Sequence, residues 1–196
     1  VMGTGVNITK LEVWIIKPGS YNDTRSLVGF VDLGEANPAN QSPLIACPPT
    51  TAYPSNSSNC LYQNLTDPNQ QYHNLRDINY PGTTQIFADL AAQGINAPSD
   101  YERMENAVKL SPSEYYFNAA LGFISLRTTL QPNQALAVAY EYQVGGQYYR
   151  VGDLTVSGVN PPERLFVKIL KSSNVNPKLP IWDLMMKIIY SLQAYG

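Results

Sequence analysis

The sequence is poor in the residues from which most metal and catalytic sites are built. It contains one histidine (His73), two cysteines and only 14% charged residues, against roughly 25% in typical soluble domains. A structural zinc ion takes four nitrogen or sulfur ligands, more than these residues supply. The 13 basic and 15 acidic residues give a net charge of −2, which does not favour binding to nucleic acid. We therefore expect no metal, no cofactor and no nucleic-acid partner.

The sequence patterns of the common enzyme classes are also missing. There is no Gly-X-Ser-X-Gly elbow, no His-Glu-X-X-His motif and no phosphate-binding glycine loop. Two acidic pairs remain, Asp32 with Glu35 and Glu102 with Glu105. Glycosidases use two carboxylates held across a cleft, but ordinary surface carboxylates explain these pairs more simply. We expect that the chain is not an enzyme.

Long apolar runs are absent as well, and none approaches the ~18–20 residues of a membrane helix. No signal-peptide pattern precedes Gly3. The sequence starts at Val1 and stops at Gly196, directly after an apolar helical pattern. We interpret it as a fragment of a longer protein.

The sequence is rich in Tyr (14), Pro (15) and Gly (13), a composition typical of extracytoplasmic β-proteins with long loops. Cys47 and Cys60 lie in a stretch rich in Pro, Asn and Ser, where a disulfide closing a short loop would stabilise the fold by ~3 kcal/mol. A Cys47–Cys60 disulfide predicts a periplasmic or cell-surface location.

Alternating apolar and polar residues predict a mostly antiparallel sheet. Strands are predicted at residues 8–16, 26–33, 84–91, 120–126 and 165–170, the first two as an antiparallel pair, with a strand or short helix at 101–110. The segment 135–150 alternates around Gly145-Gly146, which predicts a hairpin. Residues 36–82 show no periodicity and are expected to form a long irregular loop. The expected fold is one α+β domain over residues 1–196, predominantly antiparallel β with one or two short helices.

The C-terminal segment changes to a helical period, with an apolar stripe that starts at Ile181. Trp182, Met186 and Tyr190 form a second apolar stripe beside it. A helix that is apolar on most sides needs partners on most sides. We predict that these three residues either enter the core or contact a partner.

Four tyrosines cluster in the predicted hairpin: Tyr140, Tyr142, Tyr148 and Tyr149. They could form a platform on which sugar rings stack, as in a surface carbohydrate-binding or adhesin-like module. Cross-strand aromatic packing explains the same cluster without any ligand.

Several segments resemble the SprA/Sov family. NITKLEVWI (residues 7–15) and LVGFVDLGE (27–35) are similar to the paired strings N-I-T-R-I-E-V-W and A-F-x-D-L-G-E of that family. NAALGFISLRTTL (118–130) and ALAVAYEYQVGGQYYRVGDL (135–154) resemble two further strings. LFVKILKSSNVNPKLPIWDLMMKIIYSLQAY (165–195) is the most similar. Residues 36–82 resemble nothing in the family, and Ile188 stands where the family pattern has Asn.

The resemblance implies a very large outer-membrane barrel of Bacteroidota, the translocon of type IX secretion, which also supports gliding motility in some members. This chain would be one soluble domain of that protein, facing the periplasm or the cell surface. Its partners would be other parts of the same translocon chain, subunits of the secretion system and secreted cargo.

Overall fold

The chain folds into a mostly β structure, which confirms the expected α+β class. The computed structural model describes residues 5–17, 22–35, 38–46, 53–119 and 122–182. The strands are β1 (Asn7–Ile16), β2 (Arg25–Phe30), β3 (Tyr101–Lys109), β4 (Tyr115–Asn118), β5 (Phe123–Leu126), β6 (Leu136–Val144), β7 (Gln147–Val151) and β8 (Leu165–Lys171). The helices are α1 (Cys60–Thr66) and α2 (Thr83–Ala92), with short 3-10 helices at His73–Arg76 and Thr155–Ser157.

Five of the strands form a sheet that closes on itself, here called the strand ring. Its order is β1-β3-β2-β8-β6, and β6 pairs again with β1. All of these pairings are antiparallel except the one between β2 and β8. Strand β7 continues the ring at one end, where it pairs with residues 140–144 of β6 beyond the end of β8. Each ring strand therefore has neighbours on both sides, whereas β7 pairs with β6 alone in the described part of the chain.

The interior of the strand ring combines Trp14 and several alanines with large aliphatic side chains such as Leu27 and Leu165. Trp14 of β1 is 2% exposed and lies directly opposite Ala137 of β6. Ala135 and Ala139 are also fully buried, and all four residues belong to one apolar cluster. Because the facing residues of β6 are small alanines, there is room inside the ring for the indole of Trp14. Ring closure buries residues on both faces of β1, such as Val13 and Trp14.

Two layers cover the outside of the ring. On one side, the helices place Leu61, Leu65 and Leu90 against Phe30 and Phe166 of the ring. On the other side, the hairpin of β4 and β5 covers a second apolar cluster made by β1 and β6. This double cover explains why the strands are apolar on both faces.

The segment 36–82 is not the structureless loop that its lack of periodicity predicts. Within its described residues it contains α1 and the 3-10 helix His73–Arg76, and it supplies fully buried side chains such as Ile45 and Leu75. The prediction of a strand at 84–91 is also wrong, since α2 covers these residues. Ile86 and Leu90, four residues apart, are its two buried positions, which is a helical spacing.

The predicted pairing between the first two strands is wrong too. Strand β3 lies between β1 and β2, and Ala107 of β3 is opposite both Ile16 and Arg25. Because β3 is antiparallel to each of them, β1 and β2 run in the same direction and could not form a simple hairpin.

The remaining β predictions are confirmed. The hairpin of β6 and β7 turns at Gly145-Gly146, whose φ angles of +57° and +84° suit glycine. Segment 101–110 contains β3, and β8 forms as expected. Strand β5 begins only at Phe123, because Gly122 lies in a turn with a φ of +66°, and residues 120–121 lie outside the described residues. In the described residues, no helix has the length and apolarity needed to cross a membrane.

Candidate functional site: a groove beside strand β7

The site begins with a buried carboxylate at the end of β7. Asp153 is 2% exposed and accepts a hydrogen bond from the Tyr62 hydroxyl at 2.5 Å. It also accepts bonds from Arg76 Nη1 at 2.9 Å and from the Phe166 backbone N–H at 2.7 Å. These donors belong to α1, to the 3-10 helix and to β8. Asp153 therefore fixes the helical layer to the strand ring.

The surroundings of Asp153 compensate for its burial. The Arg76 guanidinium lies 4.7 Å from the centre of the Phe166 ring, so it carries a cation–π contact as well as the ion pair. Burial, together with the negative charge of Asp153, raises the pKa of Tyr62 well above its ordinary value. Tyr62 is therefore held as the neutral donor that Asp153 requires.

A short segment around Asn56 lies against the free edge of β7. The Asn56 N–H donates to the carbonyl of Arg150 at 2.6 Å. Its side-chain oxygen accepts from the Gly152 N–H at 2.7 Å, and its side-chain nitrogen donates to the Gly152 carbonyl at 3.3 Å. Asn56 thus supplies the hydrogen bonds that a neighbouring strand would give at this end of β7.

The predicted tyrosine cluster is real, but most of it is packed inward. The rings of Tyr142 and Tyr149 stack with their centres 5.3 Å apart, and the centre of the Tyr53 ring also lies 5.3 Å from that of Tyr149. Tyr142 is 5% exposed and donates to the Pro54 carbonyl at 2.5 Å. Of the four predicted platform residues, only Tyr148 is largely open to solvent, at 61%. A sugar platform would have to rest on Tyr148, because the stacked rings are used in packing.

Between α1 and β7 lies an open groove of 560 Å³. One wall is formed by Tyr62, Gln63 and Thr66, and the other by residues 148–150, with residues 55–57 at one end. Arg150 is the single charged residue among those that line it. The groove is therefore a polar and aromatic channel with one positive charge.

Arg150 is itself held by a buried acid. Its Nε donates to Glu141 at 2.5 Å, and the same carboxylate accepts from Lys10 at 3.1 Å and from the Thr9 hydroxyl at 3.0 Å. Burial raises the pKa of Glu141, but the hydrogen bonds from Arg150, Lys10 and Thr9 outweigh it and leave the pKa below its ordinary value. Glu141 is therefore a charged anchor for the groove wall.

The first acidic pair of the sequence serves the fold. Asp32 accepts the backbone N–H groups of Ala39 and Asn40, both at 2.8 Å, which fixes the chain after β2. Glu35 forms an ion pair with Lys168. Burial raises the pKa of Glu35, although the charge of Lys168 acts in the opposite direction.

The second acidic pair is also occupied by hydrogen bonds. Glu102 accepts from the Ser172 hydroxyl at 2.7 Å and from the backbone N–H of Ser173 at 3.1 Å. Glu105 accepts from the Ser26 hydroxyl at 2.7 Å. The two carboxylates hold the end of β8 and the start of β2 to β3.

The candidate metal ligands lie apart from any cluster. Nδ1 of His73 is 2.7 Å from the carbonyl oxygen of Gln70. Cys60 is disulfide-bonded, and Cys47, its predicted partner, lies outside the described residues. No group of three or more His, Cys, Asp or Glu residues that could hold a metal is found within the described ranges.

The predicted partner-contact residues are only partly described. Trp182 packs beside a small buried cluster of Val31, Ile169 and Ile181. Met186 and Tyr190 lie outside the described residues, so their role stays a prediction. Trp182 contacts its own domain in this structure.

Comparison with known proteins adds no assignment: no family model matches the chain, and no curated protein does either. Of the residues that line the groove, the sequence singled out only Tyr148 and Tyr149, as part of the tyrosine cluster. Asp153 offered one signal, an acid directly after the apolar end of the predicted hairpin. Asn56 and Tyr62 offered none, because they lie in the segment without periodicity.

Proposed function

We propose that this chain is a non-catalytic, partner-contacting domain of an outer-membrane protein-export translocon of the type IX secretion system, related to the SprA/Sov family. One observation carries the proposal. The segments at 7–15, 27–35, 135–154 and 165–195 that resemble the family include β1, β2, β6, β7 and β8. These are four of the five strands of the ring, together with its extension β7.

The strands of these four segments that resemble the family lie together in one sheet. β1 pairs with β6 and β2 with β8, although the partners are separated by more than a hundred residues in sequence. Only β3 of the ring comes from outside the resembling segments. We take the strand ring as the scaffold shared with the family. The segment 36–82, which contains α1, would be this chain's own addition to it.

A structural role is supported by the use of the acidic groups. The carboxylates that sequence analysis raised as catalytic candidates each hold backbone or side-chain donors of the fold. A general base must lie within hydrogen-bond reach of a substrate proton, and these acids are engaged elsewhere. The partners would be other parts of the translocon chain, secretion subunits or cargo, at the periplasmic or cell-surface side of the outer membrane.

The reading frame around this segment in its source genome tests the proposal. We expect it to encode many strands of ~10 residues with apolar and polar positions alternating, the pattern of outer-membrane barrels. We also expect an epitope-tagged parent protein to sediment with the outer membrane and to cross-link to secretion subunits. A flanking frame without such strands, or a parent found only in the cytoplasm, would overturn the proposal.

A further inference from the structure

We infer that the groove between α1 and β7 binds an extended peptide segment of a partner protein, added as a strand to the free edge of β7. The inference names how the proposed partner contact is made, and its biological meaning rests on that proposed function. The binding itself follows from the strand edge, the opposite wall and the charge of the groove.

The first observation is the direction of the backbone groups of β7. Its register with β6 is continuous, with Tyr149 opposite Tyr142 and Arg150 opposite Glu141. The Arg150 carbonyl accepts a bond from Asn56, so it points away from β6. Since backbone groups alternate in direction along a strand, the N–H and C=O of Tyr148 point the same way.

The second observation is that this edge is open where the groove lies. Asn56 pairs with β7 at Arg150 and Gly152 only. Among the described residues, no hydrogen bond to the outward N–H or C=O of Tyr148 is found. An added strand would continue the pairing that Asn56 begins, and Tyr148 could exchange two hydrogen bonds with it. Strand addition to an exposed sheet edge is a recurring mode of peptide recognition.

The third observation is the wall that faces this edge. Helix α1 presents Tyr62, Gln63 and Thr66 across a groove of 560 Å³, a volume within the ~300–1,000 Å³ of typical binding pockets. An extended chain between an edge strand and a helix would have its side chains directed alternately to the two sides. The hydrogen bond from Tyr62 to Asp153 keeps α1 at this separation from β7.

The lining specifies the chemistry of the peptide. Tyr148 is 61% exposed and offers an apolar surface to one side chain. Arg150 uses Nε for Glu141, and within the described residues its two Nη groups make no hydrogen bond. Those groups can receive a carboxylate in bidentate fashion. The expected ligand is therefore an uncoiled segment that combines a β-branched or aromatic residue with an acidic residue or a C-terminal carboxylate.

The test uses the purified 196-residue chain and a phage-displayed library of random ten-residue peptides. Selected peptides, made synthetically with a fluorescent label, would be measured by fluorescence anisotropy and by the amide NMR shifts of the protein. We expect enrichment of acidic and β-branched residues, and shifts concentrated at residues 147–151 and 62–66. If no peptide were enriched on the protein above its enrichment on uncoated plates, the inference would be overturned.

Tyr148→Pro separates strand addition from simple surface contact. Proline removes the outward N–H together with the Tyr148 ring, and it is tolerated on edge strands whose N–H groups face solvent. We expect Tyr148→Pro to bind the peptide about fivefold more weakly than Tyr148→Ala does, the loss of one hydrogen bond of ordinary strength. Tyr148→Ala, the matched reference, also lacks the ring but keeps the backbone N–H, so the difference between the two variants isolates the strand edge. Equal binding by both variants would contradict the inference.

A second arm does not depend on the folding of any variant. Each selected peptide would be made in two forms, N-methylated at alternate residues in either of the two possible sets. Methylation of the edge that faces β7 should abolish binding, and methylation of the other edge should leave it within about threefold. If both methylated forms bound as tightly as the unmodified peptide, strand addition would be contradicted.

Other occupants give distinct outcomes. If maltoheptaose shifted the amide NMR signal of Tyr148 and peptides did not, the carbohydrate-binding alternative would be favoured instead. The same amide shifts with rising protein concentration alone, together with dimers in sedimentation, would identify a second copy of the chain. Both results would overturn the peptide inference. Peptide binding by a chain whose flanking frame lacks barrel strands would refute the translocon proposal and leave the groove assignment intact.

Discussion

The hydroxyl of Tyr62 donates to the carboxylate of Asp153 over 2.5 Å, and this contact ties α1 to the end of β7. Asp153 is buried at 2% exposure, and its carboxylate also holds Arg76 and the backbone of Phe166. The two walls of the groove are therefore placed by one polar network. A site whose walls are fixed before binding loses less conformational freedom when a ligand enters.

Tyr62→Phe should destabilise the domain, because it removes one donor from a buried, ionised carboxylate. Hydrogen bonds to charged groups contribute about 1.5–3 kcal/mol, and we expect a loss of unfolding free energy in that range. Urea unfolding followed by tyrosine and tryptophan fluorescence measures it. Tyr148→Phe, which removes a hydroxyl from an exposed ring, is the matched control and should change stability by less than about 0.5 kcal/mol. Equal losses in both variants would show that Asp153 does not depend on Tyr62.

Ala137→Leu should be strongly destabilising, because Ala137 lies directly opposite Trp14 inside the closed ring. Extra methylene groups in a well-packed core typically cost about 1–3 kcal/mol. Ala91→Leu makes the same change at an exposed residue of α2, where leucine is nearly as good a helix former as alanine. Thermal unfolding of the two variants should therefore differ clearly. A similar midpoint for both would mean that the ring interior has spare volume.

The strands could be predicted from the sequence because their alternation is local. Residues two apart share a face, so segments such as 7–16 and 136–144 are visible without knowledge of the fold. Closure of the ring is not local. It buries Trp14 and Glu141 on the face that alternation marks as polar, and it depends on pairings between residues far apart in sequence, such as Val13 with Val138.

The groove could not be predicted for a related reason. One wall comes from the hairpin, which the sequence predicts well, and the other from α1, which has seven residues. A helix of two turns shows too few apolar repeats for its period to be recognised. Leu61 and Leu65 are buried four residues apart, but only the ring that they cover explains why they matter.

Stability should depend on pH through Glu141. Hydrogen bonds keep the pKa of this buried carboxyl below its ordinary 4.5, so the ionised form is favoured by folding. Its contribution is present above pH ~4.5 and is lost as pH falls through the folded-state pKa. Glu141→Gln should therefore be less stable than the original chain near pH 7, and the difference should narrow as pH falls below ~4.5. Urea unfolding at several pH values measures this.

The control for the pH series is Glu105→Gln, which makes the same chemical change at an exposed residue of β3 and leaves an amide oxygen that can still accept the hydrogen bond from Ser26. Its stability should differ little from that of the original chain near pH 7. If the Glu141→Gln difference stayed constant from pH 7 to pH ~3, the effect of that substitution would arise from packing, and Glu141 would not act as a charged anchor.

The disulfide of Cys60 should join it to Cys47, the one other cysteine of the chain. Peptide mapping without reduction should yield a single cross-linked pair that contains both residues. Closing a loop of roughly 13 residues constrains the unfolded chain by about 3 kcal/mol, so reduction and the double variant Cys47→Ser with Cys60→Ser should lower the unfolding midpoint by similar amounts.

Reduction of the disulfide should also loosen one end of the groove. Asn56 lies between the two cysteines in sequence and forms hydrogen bonds with Arg150 and Gly152 at the β7 edge. With the loop open, fewer constraints hold Asn56 against that edge, and its amide hydrogen should exchange with solvent faster than in the oxidised protein. The amide of Val138, inside the strand ring, should be protected equally in both states and serves as the reference. Two free thiols in native protein, or unchanged exchange at Asn56 after reduction, would contradict this link between disulfide and groove.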